Sequence, residues 1–161
     1  LWTAEAAHDG WLRSLSPSPD GSRVATCGKD GFVRFWNATD GKRLLEADAK
    51  ADVLSLRYAP DGKSVLAGDL FGLVREFDAA SGKVLRTFEV KELYKYDRIQ
   101  DVGGVKCLLL SGDGKTLFAA GGVPKNGATV QGLPTVVAFD LASGKRLSQY
   151  QGDSTVESCV T

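Results

Sequence analysis

Histidine is nearly absent from this chain: His8 is the only one in 161 residues. A Ser-His-acid relay has a single candidate base, and a histidine-built zinc site has no second ligand. The three cysteines (Cys27, Cys107, Cys159) are an odd count without ligand spacing, and each falls in a strand-like stretch. They read as small buried residues, not as a disulfide framework or metal cluster. Net charge is lacking too, since 20 basic residues face 20 acidic ones. That balance removes the electrostatic footprint expected for nucleic acid or an anionic membrane. No apolar run approaches transmembrane length, and no stretch keeps a 3.6-residue period long enough for a substantial helix. Two phosphate-loop imitations, Gly62-Lys63-Ser64 and Gly114-Lys115-Thr116, lack the glycine needed five residues earlier; Arg57 and Leu109 stand there. No catalytic residue, metal site or cofactor is read from the sequence.

What the chain does have is a repeated text. Pro19-Asp20-Gly21, Pro60-Asp61-Gly62 and Gly112-Asp113-Gly114 align, each five residues after a leucine (Leu15, Leu56, Leu108). Apolar runs follow at Val24-Ala25-Thr26, Val65-Leu66-Ala67 and Leu117-Phe118-Ala119. Each unit then closes on Trp36-Asn37, Phe77-Asp78 or Phe139-Asp140, with a polar turn ending in Gly-Lys after it. The period from Asp20 to Asp61, and from Trp36 to Phe77, is 41 residues. Within a unit the runs are short and separated by turn residues: Asp favours turn conformations and Gly accepts positive φ. In the first unit the spacing predicts strands at 11–15, 23–27, 32–36 and 43–47. A four-stranded sheet of this kind cannot bury both faces alone and must stack on copies of itself.

The first unit carries a more specific pattern. His8 precedes strand one, Thr26 lies on strand two, Asp30 sits in the turn before strand three, and Trp36 ends that strand. On these residues the chain resembles a WD-repeat β-propeller. The resemblance implies a buried hydrogen-bond network of His8, Thr26, Asp30 and Trp36 tying the blade together, and a non-catalytic protein–protein interaction scaffold as the function. The second unit departs from the pattern, with Ala49, Ala67, Phe71 and Phe77 at those places, and the third has no histidine and ends in Phe139. Those two blades are expected to be held by apolar packing alone.

The predicted fold is therefore all-β, a partial propeller of four-stranded antiparallel blades forming one incomplete domain over 1–161. Residues 1–7 are expected to supply the last strand of a preceding blade. Blades follow at 8–47, 48–88 and 89–150, and 151–161 starts another, with Val156 to Cys159 aligning with Val53 to Leu56. Propellers close with four to eight blades, so the remaining blades are expected from the parent chain or from a second copy.

Two departures from the repeat mark a candidate binding surface. Lys42 to Leu56 spans 14 residues, whereas Lys83 to Leu108 spans 25; Asp20 to Trp36 spans 16, whereas Asp113 to Phe139 spans 26. Strand alternation puts both inserts on one face of the ring. They offer Tyr94, Lys95, Tyr96 and Arg98 in the first, and Lys125, Asn126 and Leu133 in the second, as residues to contact a protein partner. Nucleic acid and membrane are not expected partners. Two other readings stay open: a regulatory or sensory propeller attached to a catalytic or redox domain, and an enzymatic propeller with a central-channel site. Against the second, the inner strands offer only Leu12, Ser14, Val53, Ser55, Val105 and Cys107.

Overall fold

A computed structural model describes residues 2–4, 6–97, 99–124 and 132–152. Three four-stranded antiparallel sheets follow one another along the chain. Blade one holds β1 (Leu12–Pro17), β2 (Arg23–Gly28), β3 (Phe32–Asn37) and β4 (Arg43–Asp48), paired in sequence order. Blade two repeats this with β5 (Val53–Tyr58), β6 (Ser64–Asp69), β7 (Leu73–Asp78) and β8 (Val84–Glu89). Between blades two and three stand a short 3-10 turn, Lys91–Leu93, and the hairpin strands β9 (Tyr94–Asp97) and β10 (Gln100–Gly103). Blade three contains β11 (Cys107–Leu110), β12 (Thr116–Pro124), β13 (Gly132–Asp140) and β14 (Arg146–Gln151). The first strands of neighbouring blades, β1 with β5 and β5 with β11, lie against one another, as the inner strands of a partial propeller must.

The recurrent turns work as their composition requires. The Asp20 carboxylate accepts the Ser22 backbone N–H at 3.0 Å and the Ser18 hydroxyl at 2.6 Å, while Gly21 takes φ +70°. The Ser18 hydroxyl, then the Ser22 amide and hydroxyl, hold the Asp20 pKa at about 2. Asp61 and Asp113 repeat the bond to the amide two residues on, at 2.9 and 3.0 Å.

Two apolar layers fuse the blades. Ala25, Cys27, Val33 and Phe35 of blade one meet Val53, Leu56, Tyr58 and Phe77 of blade two. On the other face of blade two, Leu66, Val74 and Phe88 meet Leu108, Leu117, Val137 and Phe139 of blade three. Phe35 stands edge-on to Tyr58 with ring centroids 6.3 Å apart, and Phe88 to Phe139 at 5.4 Å. Each fully buried large side chain contributes about 1.5–3 kcal/mol of hydrophobic transfer, so these layers dominate cohesion. Polar ties cross the same seams: Arg23 donates to the Ala79 carbonyl, Ser55 to that of Val105, and Arg86 to those of Leu141 and Ala142.

Three expectations change. Residues 2–4 form no strand; Trp2 lies against the β3–β4 turn and donates its indole N–H to the Ala38 carbonyl at 2.9 Å. Cys27 is a free buried thiol as read, but Cys107 is disulfide-bonded and not merely a small buried residue. The second insert is not a loop throughout, because its flanks lengthen β12 and β13 to nine residues each. The aligned segment Val156 to Cys159 lies outside the described residues.

Candidate functional site

The β2–β3 turns and the blade-to-blade connections share one end of the strands, and the chemistry-bearing residues gather there. In blade one the indole N–H of Trp36 donates to Thr26 Oγ1 at 2.8 Å. Thr26 Oγ1 lies 2.8 Å from His8 Nε2, and His8 Nδ1 lies 2.9 Å from Asp30 Oδ1. Arg34 Nη1 also lies 2.7 Å from His8 Nδ1, so the imidazole stands between Thr26 on one side and the Asp30–Arg34 pair on the other. Burial works against the Asp30 carboxylate, yet bonds from His8, Arg34 and the amides of Asp9 and Phe32 hold its pKa well below the ordinary value of 3.8. The four predicted residues thus form one connected chain of bonds.

Sequence reasoning missed the fifth and sixth members. Arg34 Nη1 reaches Asp30 Oδ2 at 2.6 Å, and its Nε donates to Glu46 Oε2 at 2.7 Å. Strand alternation places Arg34 on the face of Trp36, the signal that could have found it.

Blade two is not held by apolar packing alone, and this expectation is corrected. Asp69 is fully buried, accepts the amides of Phe71 and Leu73 at 2.9 Å each, and pairs with Arg75. Its counterpart in blade one is Gly28, where a Cβ would stand 3.0 Å from His8 Nδ1 and 2.7 Å from the Trp11 carbonyl oxygen. Gly28 does not have positive φ, so space and not backbone conformation requires the glycine. Where blade one fills this volume with imidazole, blade two has Ala49 and fills it with the Asp69 carboxylate. A second buried set, Ser64–Glu76–Arg86, ties β6, β7 and β8.

In blade three the first insert folds as the β9–β10 hairpin, registered Tyr94↔Gly103 through Asp97↔Gln100. Its root is fixed: Leu93 is fully buried in the second apolar layer, and the Leu93 carbonyl accepts Gly104 N–H at 2.8 Å. Tyr94 stacks edge-on against Phe71 at 5.1 Å and donates its hydroxyl to Asp101 at 2.7 Å. Tyr94 is therefore part of the scaffold as well as of the surface. Lys95 is partly buried, 3.5 Å from Asp97. Tyr96 is 61% and Ile99 90% exposed. Both hairpin strands pack on β12. Leu133 sits within β13 opposite Val123, which packs on the apolar layer. Arg98, Lys125 and Asn126 lie outside the described residues.

Comparison with known proteins agrees with this geometry. The family model described as WD domain, G-beta repeat matches residues 3–37, which span the whole His8–Thr26–Asp30–Trp36 network. The Cross-pathway control WD-repeat protein 2 of Flammulina velutipes is 34% identical over 122 residues. The chain belongs to the WD-repeat family. The Small ribosomal subunit protein RACK1 of Schizosaccharomyces pombe is 30% identical over 129 residues. Each of these matches covers 74% of this chain and 37% of the relative's length. RACK1y of Oryza sativa subsp. japonica is 41% identical over 59 residues, covering 37% of this chain and 18% of its own. The WD-repeat chain thus spans well under half the length of the curated relatives it matches.

Proposed function

We propose that this WD-repeat chain is a non-catalytic protein–protein interaction scaffold and that it meets a protein partner through the paired hairpins of blade three. The observation carrying this reading is the contrast between root and tip of the β9–β10 hairpin. Leu93 and Tyr94 anchor the root, while Tyr96 and Ile99 face solvent. Exposed aromatic and aliphatic side chains on a rigid support are the usual anchors of an interface, because little conformational entropy is lost when they are covered. The hairpins interrupt an otherwise regular repeat, where recognition elements reside in repeat folds. Lys125, Asn126 and Arg98 are added to the proposed contact residues from the sequence alone.

A photo-crosslinking residue at Ile99 tests the reading, with one at the exposed rim residue Thr87 as control. A discrete protein adduct from position 99 and none from position 87 supports it. Equal labelling from both sites removes the special role of the hairpin. Several relatives bear the name small ribosomal subunit protein, so purified small ribosomal subunits are the first candidate partner to add.

A further inference from the structure

A second departure from the repeat lies on blade one. Trp11 stands where blade two has Asp52 and blade three has Gly104. Trp11 is 68% exposed, yet its ring has cationic neighbours. The Trp11 carbonyl accepts the Lys29 N–H at 3.0 Å. The Arg13 guanidinium lies 5.2 Å and the Lys29 ammonium 5.7 Å from the ring centroid. Arg13 is itself clamped by Asp52, with Nε–Oδ1 3.3 Å and Nη2–Oδ2 2.9 Å. Arg13 also lines a cleft of about 390 Å³, together with Leu54 and Leu70 of blade two, Asp101 of the hairpin and Lys106 at the start of blade three. An exposed aromatic platform thus continues through Arg13 into a partly apolar cleft that touches all three blades.

The charges favour one kind of occupant. Asp52 is neutralised by Arg13, and Asp101 accepts the Tyr94 hydroxyl. Lys29 and Lys106 have no ion-pair partner among the described residues. An apolar group covering Trp11 or entering against Leu54 and Leu70 would therefore find unpaired cations on either side. We propose that Trp11 and the adjoining cleft dock an extended protein segment in which an apolar or aromatic side chain is flanked by carboxylates, paired with Lys29 and Lys106. This rests on the reading of the chain as a protein-binding scaffold, but on different residues from the hairpin tip.

An array of peptides of about a dozen residues, with Leu or Phe anchors flanked by Glu, Lys or Ser, tests it against the full chain. The acidic set should bind best. Its affinity should fall about tenfold in Trp11→Ala and in Lys106→Glu, both checked for folding by circular dichroism, and should be unchanged in Thr87→Ala on the exposed outer strand. Absence of a preference among the three sets overturns the proposal, as do acidic binders indifferent to both Trp11→Ala and Lys106→Glu. Tighter binding of a thymidine oligonucleotide, lost in Trp11→Ala and not displaced by acidic peptides, reassigns the surface and also overturns it. Failure of the Ile99 crosslink with these peptide results intact would sink the hairpin reading alone.

Discussion

Moving a carboxylate from residue 30 to residue 28 tests whether blades one and two solve the same packing problem in two ways. In His8→Ala/Asp30→Phe, blade one acquires the Ala49 and Phe71 of blade two but keeps Gly28. The imidazole, only 1% exposed, is gone, and Thr26 loses its partner at 2.8 Å. Arg34, with 10% of its side chain exposed, loses Asp30 and keeps only Glu46. An orphaned buried polar group costs about 1–3 kcal/mol and the vacated volume adds a cavity term. Together with the broken ion pair, the double variant should lose about 4 kcal/mol. Adding Gly28→Asp supplies the carboxylate that Asp69 supplies to Arg75, in space the imidazole no longer occupies. The triple variant should regain about 2 kcal/mol over the double. Gly28→Asp alone, forced to within 3.0 Å of His8 and 2.7 Å of the Trp11 carbonyl, should instead lose about 2 kcal/mol or more. Urea unfolding followed by tryptophan fluorescence on the four proteins reads all of these differences. A triple variant no more stable than the double would refute the equivalence of Asp69 with the histidine arrangement.

Three further outcomes are expected. Trp36→Phe removes the donor to Thr26 and should cost about 1–2 kcal/mol, visible as a lower urea midpoint; an unchanged midpoint would mean that Thr26 finds another donor. Asp30, whose pKa is depressed on folding, binds its proton less readily folded than unfolded. Its contribution is thus complete above the ordinary carboxylate value near 3.8 and is lost as pH falls through the lower folded value. Asp30→Asn should therefore flatten the acid limb of stability measured by thermal melting between about pH 5 and 2. Burial pushes the Cys27 thiol up to about 12, so iodoacetamide at about pH 8 should leave Cys27 unmodified until the chain unfolds. Peptide mass mapping that finds it alkylated in the native protein would show blade one open at that seam.

The sequence exposed the features that depend on local chemistry. The Asp-Gly turns recur at 41-residue spacing because each sharp reversal needs positive φ next to a side chain that satisfies its own backbone. The bonded set of His8, Thr26, Asp30 and Trp36 was legible because its side chains have few other roles in a small β-blade. Arg34 was not, since arginine on a strand ordinarily marks a solvated face, and here its charge turns inward only because Asp30 and Glu46 converge on it. Asp69 was hidden more deeply. It compensates for an absent imidazole from a position two residues away from the expected acid, and only the shared volume above the strands relates the two. The hairpins of blade three were visible as extra length, but the burial of Leu93 and the stacking of Tyr94 on Phe71 depend on contacts across blades that no local pattern encodes. That is why Tyr94, expected as a recognition residue, is also a support.

The buried root of the β9–β10 hairpin has a mechanical consequence. Leu93 is set in the layer between blades two and three and Phe71 braces Tyr94 from the neighbouring turn, so the first strand of the projection is held at its base by packed side chains. A load applied at Ile99 would enter the seam between blades two and three through Leu93 and Tyr94. A cargo held at that tip would keep a fixed bearing relative to the propeller axis, and the stiffness of its tether would be that of the inter-blade seam itself.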